Sequence, residues 1–85
     1  MSLFLINFDL RKNKKDYKSL FEELKYIGAL QLTKETWCIK RTCTHATTLR
    51  NHLLQLIFED DSLIVSKIQE IAPHKTKNLP KDLTN

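Results

Sequence analysis

One carboxylate stands where a hydrophobic segment ends and a run of basic residues begins. Asp9 follows LFLINF at positions 3–8, whose alternating side chains are typical of a β-strand. A single carboxylate holds a divalent cation poorly, but two copies facing each other across a dimer axis would bind Mg²⁺ or Mn²⁺ with substrate phosphates. Aspartate also ends strands for purely structural reasons, so the position alone leaves both interpretations open.

A cluster of cations follows this carboxylate closely. Its members are Arg11, Lys12, Lys14, Lys15 and Lys18. Such a cluster neutralises phosphates and makes binding dependent on salt but insensitive to base sequence, whereas the alternative is a solvated loop. The net charge of +4 favours a polyanionic partner, RNA or DNA.

The other reactive side chains form no recognisable catalytic or metal-binding set. His45 and His52 are seven positions apart, whereas metal ligands on a helix favour spacings of three or four. Cys38 and Cys43 are too few for a disulfide framework and are expected to be free thiols. The acidic pair at positions 60–61 predicts a turn, and adjacent carboxylates diverge in direction.

Two amphipathic segments are predicted as helices. Apolar residues at spacings of three and four from Tyr17 to Ile27 predict the first helix, and Gly28, the only glycine, is placed to end it. The second is expected to begin with a cap at Thr42 or Thr44 and to run to about Phe58.

Three further strands are predicted. Positions 29–33 and 36–41 would form a hairpin in which Thr33 pairs with Thr36, so that Leu30 and Leu32 share a face with Trp37 in the core. Trp37 and Phe58 are both expected in the core. Alternation resumes at positions 62–68, with Ile64 on the face opposite Leu63.

The resulting order, strand, helix, strand, strand, helix, strand, predicts an α+β domain over residues 1–72. It is the ferredoxin-like βαββαβ arrangement, a four-stranded antiparallel sheet with two helices on one face. The other sheet face is expected to be uncovered in one chain and to form a two-fold dimer interface. Its predicted residues are Leu3, Leu5, Asn7 and Ile64. Residues 73–85 would be a basic, proline-containing, flexible tail.

Membrane insertion and secretion are not expected. No apolar run approaches the roughly 20 residues that a membrane-spanning helix needs, and no basic region precedes a long apolar segment. The cytoplasm is therefore the expected location.

Three stretches resemble CRISPR-associated protein 2 and, more closely, its small stand-alone relatives grouped with the VapD-like ribonucleases. They are INFDLRKNKKDYKSLFEELKYIGA, TWCIKR and LRNHLLQLIFEDDSLIVSKI, of which Phe8-Asp9-Leu10 is the most telling. The resemblance implies a ferredoxin-like homodimer with Asp9 near the two-fold axis. In active members this aspartate binds a divalent cation for phosphodiester hydrolysis. Other members are scaffolds that grip duplex DNA, and the C-terminal segment often crosses to the partner subunit.

Two functional hypotheses follow from these residues and from the resemblance. The first is a dimeric endonuclease of low sequence specificity, in which Asp9 is the catalytic residue and the ligand of Mg²⁺ or Mn²⁺, and the basic cluster holds phosphates. The alternative is a dimeric nucleic-acid-binding or protein-interaction module of the same fold without catalysis.

Overall fold

A computed structural model describes residues 1–83 of the chain. The strands are β1 (Ser2–Asp9), β2 (Leu30–Gln31), β3 (Thr36–Arg41) and β4 (Ser62–Ile68), and the helices are α1 (Lys18–Tyr26) and α2 (Ala46–Leu54). Short 3-10 turns lie at Lys14–Tyr17 and Pro80–Asp82. The sheet order is β2-β3-β1-β4, and every neighbouring pair is antiparallel. This confirms the predicted α+β class and is consistent with a ferredoxin-like fold.

The alternation in β1 separates the two faces of the sheet. Phe4, Ile6 and Phe8 are buried on the face that carries the helices. The helix side chains that pack against them are Leu20 and Leu24 of α1 and Leu49 and Leu53 of α2. Burying such side chains is the main favourable term in folding a small domain, so this apolar layer holds both helices against the sheet.

The first helix ends as the sequence predicts, whereas the second is shorter. Gly28 has a positive φ of 86°, which a residue without a Cβ adopts most easily. The second helix begins after His45 and ends at Leu54 instead of near Phe58. The Leu56 N–H bonds to the carbonyl of Leu53, three residues earlier, whereas an α-helix bonds to the residue four earlier. This tighter, 3-10-type turn ends the helix.

The predicted hairpin register is wrong by one residue. Leu30 pairs with Cys38, Gln31 pairs with Trp37, and the Leu32 N–H bonds to the Thr36 carbonyl at 2.8 Å. The chain uses a three-residue connection at 33–35, because Lys34 and Glu35 lack the glycine or asparagine that a two-residue turn favours. A slip of one residue exchanges the faces of a strand. Leu30 and Leu32 therefore lie on the face opposite the helices.

The sheet face opposite the helices is partly covered by the C-terminal segment of the same chain. Leu32, Cys38 and Leu83 form a second buried cluster, against which Leu3, Leu5, Leu30 and Ile71 pack. The C-terminal segment reaches it along the edge of β2, where the Lys77 N–H bonds to the Leu32 carbonyl at 2.8 Å. The expectation of an uncovered face is therefore wrong for the part near β2 and β3. Of the predicted tail, residues 84–85 lie outside the described residues.

The cover over Cys38 predicts a protected thiol. Cys38 is buried, and this burial raises the pKa of its thiol, so a thiolate-selective reagent should label it slowly. In a Cys43→Ser background, Leu83→Asp should speed the labelling of Cys38 by about tenfold, because the segment that covers it is released. Leu79→Asp, at an exposed position of the same segment, is the control. Equal rates in the two variants would show that Leu83 does not protect Cys38.

Candidate nucleic-acid interface

Asp9 lies at the end of β1, opposite Ser62, on the face away from the helices. Its carboxylate is exposed and lies 3.3 Å from the Arg11 guanidinium. Exposed ion pairs of this kind contribute little to stability. Within residues 1–83, no three His, Cys, Asp or Glu side chains are grouped closely enough to hold a metal ion. A single chain thus offers one carboxylate with a cation beside it, which does not fit a divalent cation.

A second carboxylate, Asp61, fixes the path of residues 11–17, the lysine-rich connection between β1 and α1 that we call the basic loop. It accepts hydrogen bonds from the Arg11 N–H at 2.8 Å, the Phe58 N–H at 2.8 Å and the Tyr17 hydroxyl at 2.7 Å. Burial alone would raise the pKa of Asp61, but these hydrogen bonds outweigh it and hold the pKa below its ordinary value. Asp61 thereby joins the start of the basic loop to the turn before β4.

The Tyr17 hydroxyl extends this network. It accepts a hydrogen bond from the Lys12 N–H at 2.9 Å while donating to Asp61. Burial, together with the negative charge of Asp61, raises the pKa of Tyr17, so the hydroxyl keeps its proton. Phe58 contacts the Tyr17 ring edge-on. The Lys12 ammonium lies over the Phe58 ring, 4.8 Å from its centroid. Phe58 is 40% exposed, so its predicted place in the core is wrong.

A half-open groove of about 750 Å³ lies on the helix side of the sheet, between the basic loop, α1 and the β2–β3 connection. We call it the lysine groove. Seven lysines line it: Lys12, Lys14, Lys15, Lys18, Lys25, Lys34 and Lys77. Glu22 and Glu35 also line it, and Glu22 lies 3.8 Å from Lys18. Because lysines outnumber carboxylates, the groove favours an anionic ligand.

The basic residues predicted to bind nucleic acid do not all lie at the groove. Lys12, Lys14, Lys15 and Lys18 line the groove, whereas Arg11 is turned towards Asp9. Lys25, Lys34 and Lys77 also line the groove, although the predicted cluster does not include them. A signal existed for Lys25, which is seven residues from Lys18 and so lies on the same side of α1. Lys34 and Lys77 join the groove through the hairpin and the C-terminal segment, and no local pattern marks them.

Aromatic side chains line the inner part of the groove. The Phe21 ring stacks on Trp37, with centroids 6.1 Å apart and planes 20° from parallel. Trp37 is only 3% exposed, as predicted for a core residue, and Phe21 is partly exposed. The Trp37 Nε1 is buried and has no hydrogen-bond partner within residues 1–83. Gln31 also lines the groove, a consequence of the one-residue slip in the hairpin.

The four residues predicted for a dimer interface have different surroundings. Leu3 and Leu5 pack against the cluster that contains Leu83 of the same chain. Asn7 accepts a 2.7 Å hydrogen bond from the Thr36 hydroxyl, and Ile64 is 62% exposed. In this chain, Ile64 is therefore the member of the set that is most open to a partner.

No protein-family model matches the chain. Within residues 1–83, neither helix has the length and apolar character needed to cross a bilayer. The described residues present two candidate functional surfaces: the lysine groove on the helix side of the sheet, and the opposite sheet face, which carries Asp9 and Ile64.

Proposed function

We propose that the protein binds RNA or DNA through the lysine groove. The observation that carries this proposal is the convergence of seven lysines, from four separate parts of the chain, on one groove. Each lysine neutralises one negative charge, and phosphates repeat at a regular spacing along a nucleic acid. Lysine contacts to phosphates position a strand without selecting its sequence.

The aromatic lining favours nucleic acid over an acidic protein. Phe21 is partly exposed beside lysines of the same helix surface, Lys18 and Lys25. A positively charged groove with aromatic side chains is the usual arrangement of surfaces that bind nucleic-acid strands. An acidic peptide would satisfy the lysines but would leave the aromatic lining unused.

The proposal is tested by fluorescence anisotropy with labelled oligonucleotides over a range of salt concentrations. The logarithm of the association constant should fall linearly with the logarithm of salt, with a slope of about −3 to −5 if four to seven phosphates are neutralised. A polyglutamate peptide of equal charge is the control and should bind more weakly. No binding of RNA or DNA at about 50 mM salt would contradict the proposal.

A second candidate is the dimeric, metal-dependent endonuclease of low sequence specificity. Its support is the exposed Asp9 carboxylate on the same sheet face as Ile64, an exposed apolar side chain that a second copy would bury. The resemblance to CRISPR-associated protein 2 agrees with this arrangement. Because one chain offers one carboxylate there, a Mg²⁺ or Mn²⁺ site would need Asp9 from both copies.

Cleavage assays with Mg²⁺ or Mn²⁺ test this second candidate. Asp9→Asn should abolish hydrolysis of single- and double-stranded RNA and DNA while leaving binding in the lysine groove intact. Asp60→Asn, at a nearby exposed carboxylate, is the control and should cleave like the unchanged protein. Equal cleavage by Asp9→Asn would remove Asp9 from the reaction, and sedimentation of the same samples reports whether the active species is a dimer.

A further inference from the structure

We propose that the lysine groove holds a single unpaired strand, with one base packed against Phe21, and binds a duplex much more weakly. This inference rests on the proposed function, because it names the class of nucleic acid that the groove accepts. Three features of the groove carry it: where its lysines lie, what lines its inner part, and the amide donor of Gln31.

The lysines surround the groove instead of lying on a flat surface. Lys14 and Lys15 are in the basic loop, Lys18 and Lys25 on α1, Lys34 in the β2–β3 connection and Lys77 in the C-terminal segment. A duplex presents phosphates on the outside of a wide rod, so it would touch only some of these side chains. A single strand is thin and flexible enough to enter and to meet lysines on both sides.

The inner part of the groove suits a base. Phe21 stacks on Trp37, which is buried, so the Phe21 ring is supported from one side. A ring held in this way loses little freedom when a base packs on it, and stacking on aromatic side chains tolerates any base. In a duplex, the bases are already stacked on one another and cannot reach this ring.

A donor at the groove also favours an unpaired base. Gln31 lines the groove, and its side-chain amide carries two N–H groups, of which one donates to the Lys34 carbonyl at 3.3 Å. The other N–H has no hydrogen-bond partner within residues 1–83. An unpaired base has free carbonyl acceptors on its edge, whereas a paired base uses several of them in pairing.

The test compares one oligonucleotide of roughly twelve nucleotides, as a single strand and as a duplex, at the same salt concentration. The single strand should bind about tenfold more tightly or better. Phe21→Leu should weaken single-strand binding by about tenfold and leave duplex binding unchanged. Tyr26→Leu, which removes an 86% exposed aromatic from α1 outside the groove, is the matched control and should change neither.

The outcomes separate this inference from the proposed function. Equal or tighter binding of the duplex would overturn the single-strand inference and leave the proposed function standing, whereas no binding of either would overturn both. Because Phe21→Leu could unfold the domain, the fluorescence of Trp37, the only tryptophan, gives a second measurement on the unchanged protein. The single strand should quench it and the duplex should not, and an unchanged signal with bound single strand would also overturn the inference.

Discussion

Replacing Lys14, Lys15 and Lys18 together by glutamine should weaken binding of a single-stranded oligonucleotide by roughly two orders of magnitude at about 50 mM salt. The three lysines line the groove and are exposed, and the 3.8 Å pair of Lys18 with Glu22 lies at the surface, where a phosphate can replace Glu22. Losing three such contacts should also reduce the steepness of the salt dependence by about two. Anisotropy titrations of the variant and the unchanged protein measure both quantities.

A second triple variant separates position from overall charge. Lys67, Lys75 and Lys81 are exposed and lie outside the groove lining, so changing them to glutamine removes the same charge elsewhere. This variant should keep most of the affinity and most of the salt dependence. If both triple variants lose affinity equally, the protein binds through its net charge and the groove has no special role.

Asp61→Ala should lower the free energy of unfolding by about 2 to 3 kcal/mol, an unusually large effect for a residue in a surface turn. The change removes the acceptor for the Arg11 and Phe58 N–H groups and for the buried Tyr17 hydroxyl. Hydrogen bonds to a charged acceptor are stronger than neutral ones, and partial exposure to solvent reduces the total below their sum. Urea denaturation followed by the fluorescence of Trp37 measures the loss.

Asp60→Ala is the control for this prediction, because Asp60 is adjacent and exposed. It should change the free energy of unfolding by less than about 0.5 kcal/mol. A loss of similar size in both variants would show that the charge of the turn, and not the hydrogen bonding of Asp61, stabilises the fold.

The stabilisation by Asp61 should depend on pH in the acid range. Its pKa is lower in the folded protein than in the unfolded chain, so its contribution is fully present above the unfolded pKa of about 3.8. The contribution is lost as the pH falls through the lower pKa of the folded protein. The difference in stability between the unchanged protein and Asp61→Asn should therefore shrink below about pH 4, because the asparagine does not titrate.

The loop that Asp61 holds is also the loop that carries Lys12, Lys14 and Lys15. The hydrogen bonds to Arg11 and Tyr17 fix the two ends of this loop, which orders the lysines before a ligand arrives. Pre-ordered contacts bind more tightly, because less freedom is lost on binding. The Asp61 network therefore links the stability of the fold to the shape of the groove.

Much of the fold could be predicted because its signals are local. The alternation in β1 assigns Phe4, Ile6 and Phe8 to the helix side without any knowledge of partners. The end of α1 follows from Gly28, whose positive φ suits a residue without a Cβ. The order of elements then leaves few topologies open, because crossover connections have a preferred hand.

The hairpin register was not predictable from such signals. Two registers give a plausible alternation of apolar and polar side chains: one pairs Thr33 with Thr36, and the other pairs Leu32 with Thr36. They differ in the sheet face on which Leu30 and Leu32 are buried. The register found becomes favourable through Leu83 and Cys38, which pack on Leu32 on the face opposite the helices. Since Leu83 is distant in sequence and lies in a segment without periodicity, its contribution could not be foreseen.

The candidate site was only partly predictable for the same reason. The four lysines near the start of α1 were marked by their density, whereas Lys34 and Lys77 meet them only through tertiary structure. The sequence predicts Asp61 only as part of an acidic turn, because nothing in it ties Asp61 to Arg11 or Tyr17. The placement of Asp9 on the face away from the helices follows directly from the alternation in β1.

The most direct test of the lysine groove is a map of the amide and indole signals that move when an unlabelled oligonucleotide is added to the ¹⁵N-labelled protein. The largest shifts should fall on the amides of residues 12–18, on Phe21, Lys34 and Lys77, and on the indole N–H of Trp37. Lys67 and Ile64, which lie outside the groove, should move little. Shifts centred instead on Asp9, Ile64 and β4, with the groove signals unchanged, would contradict the groove as the nucleic-acid-binding surface.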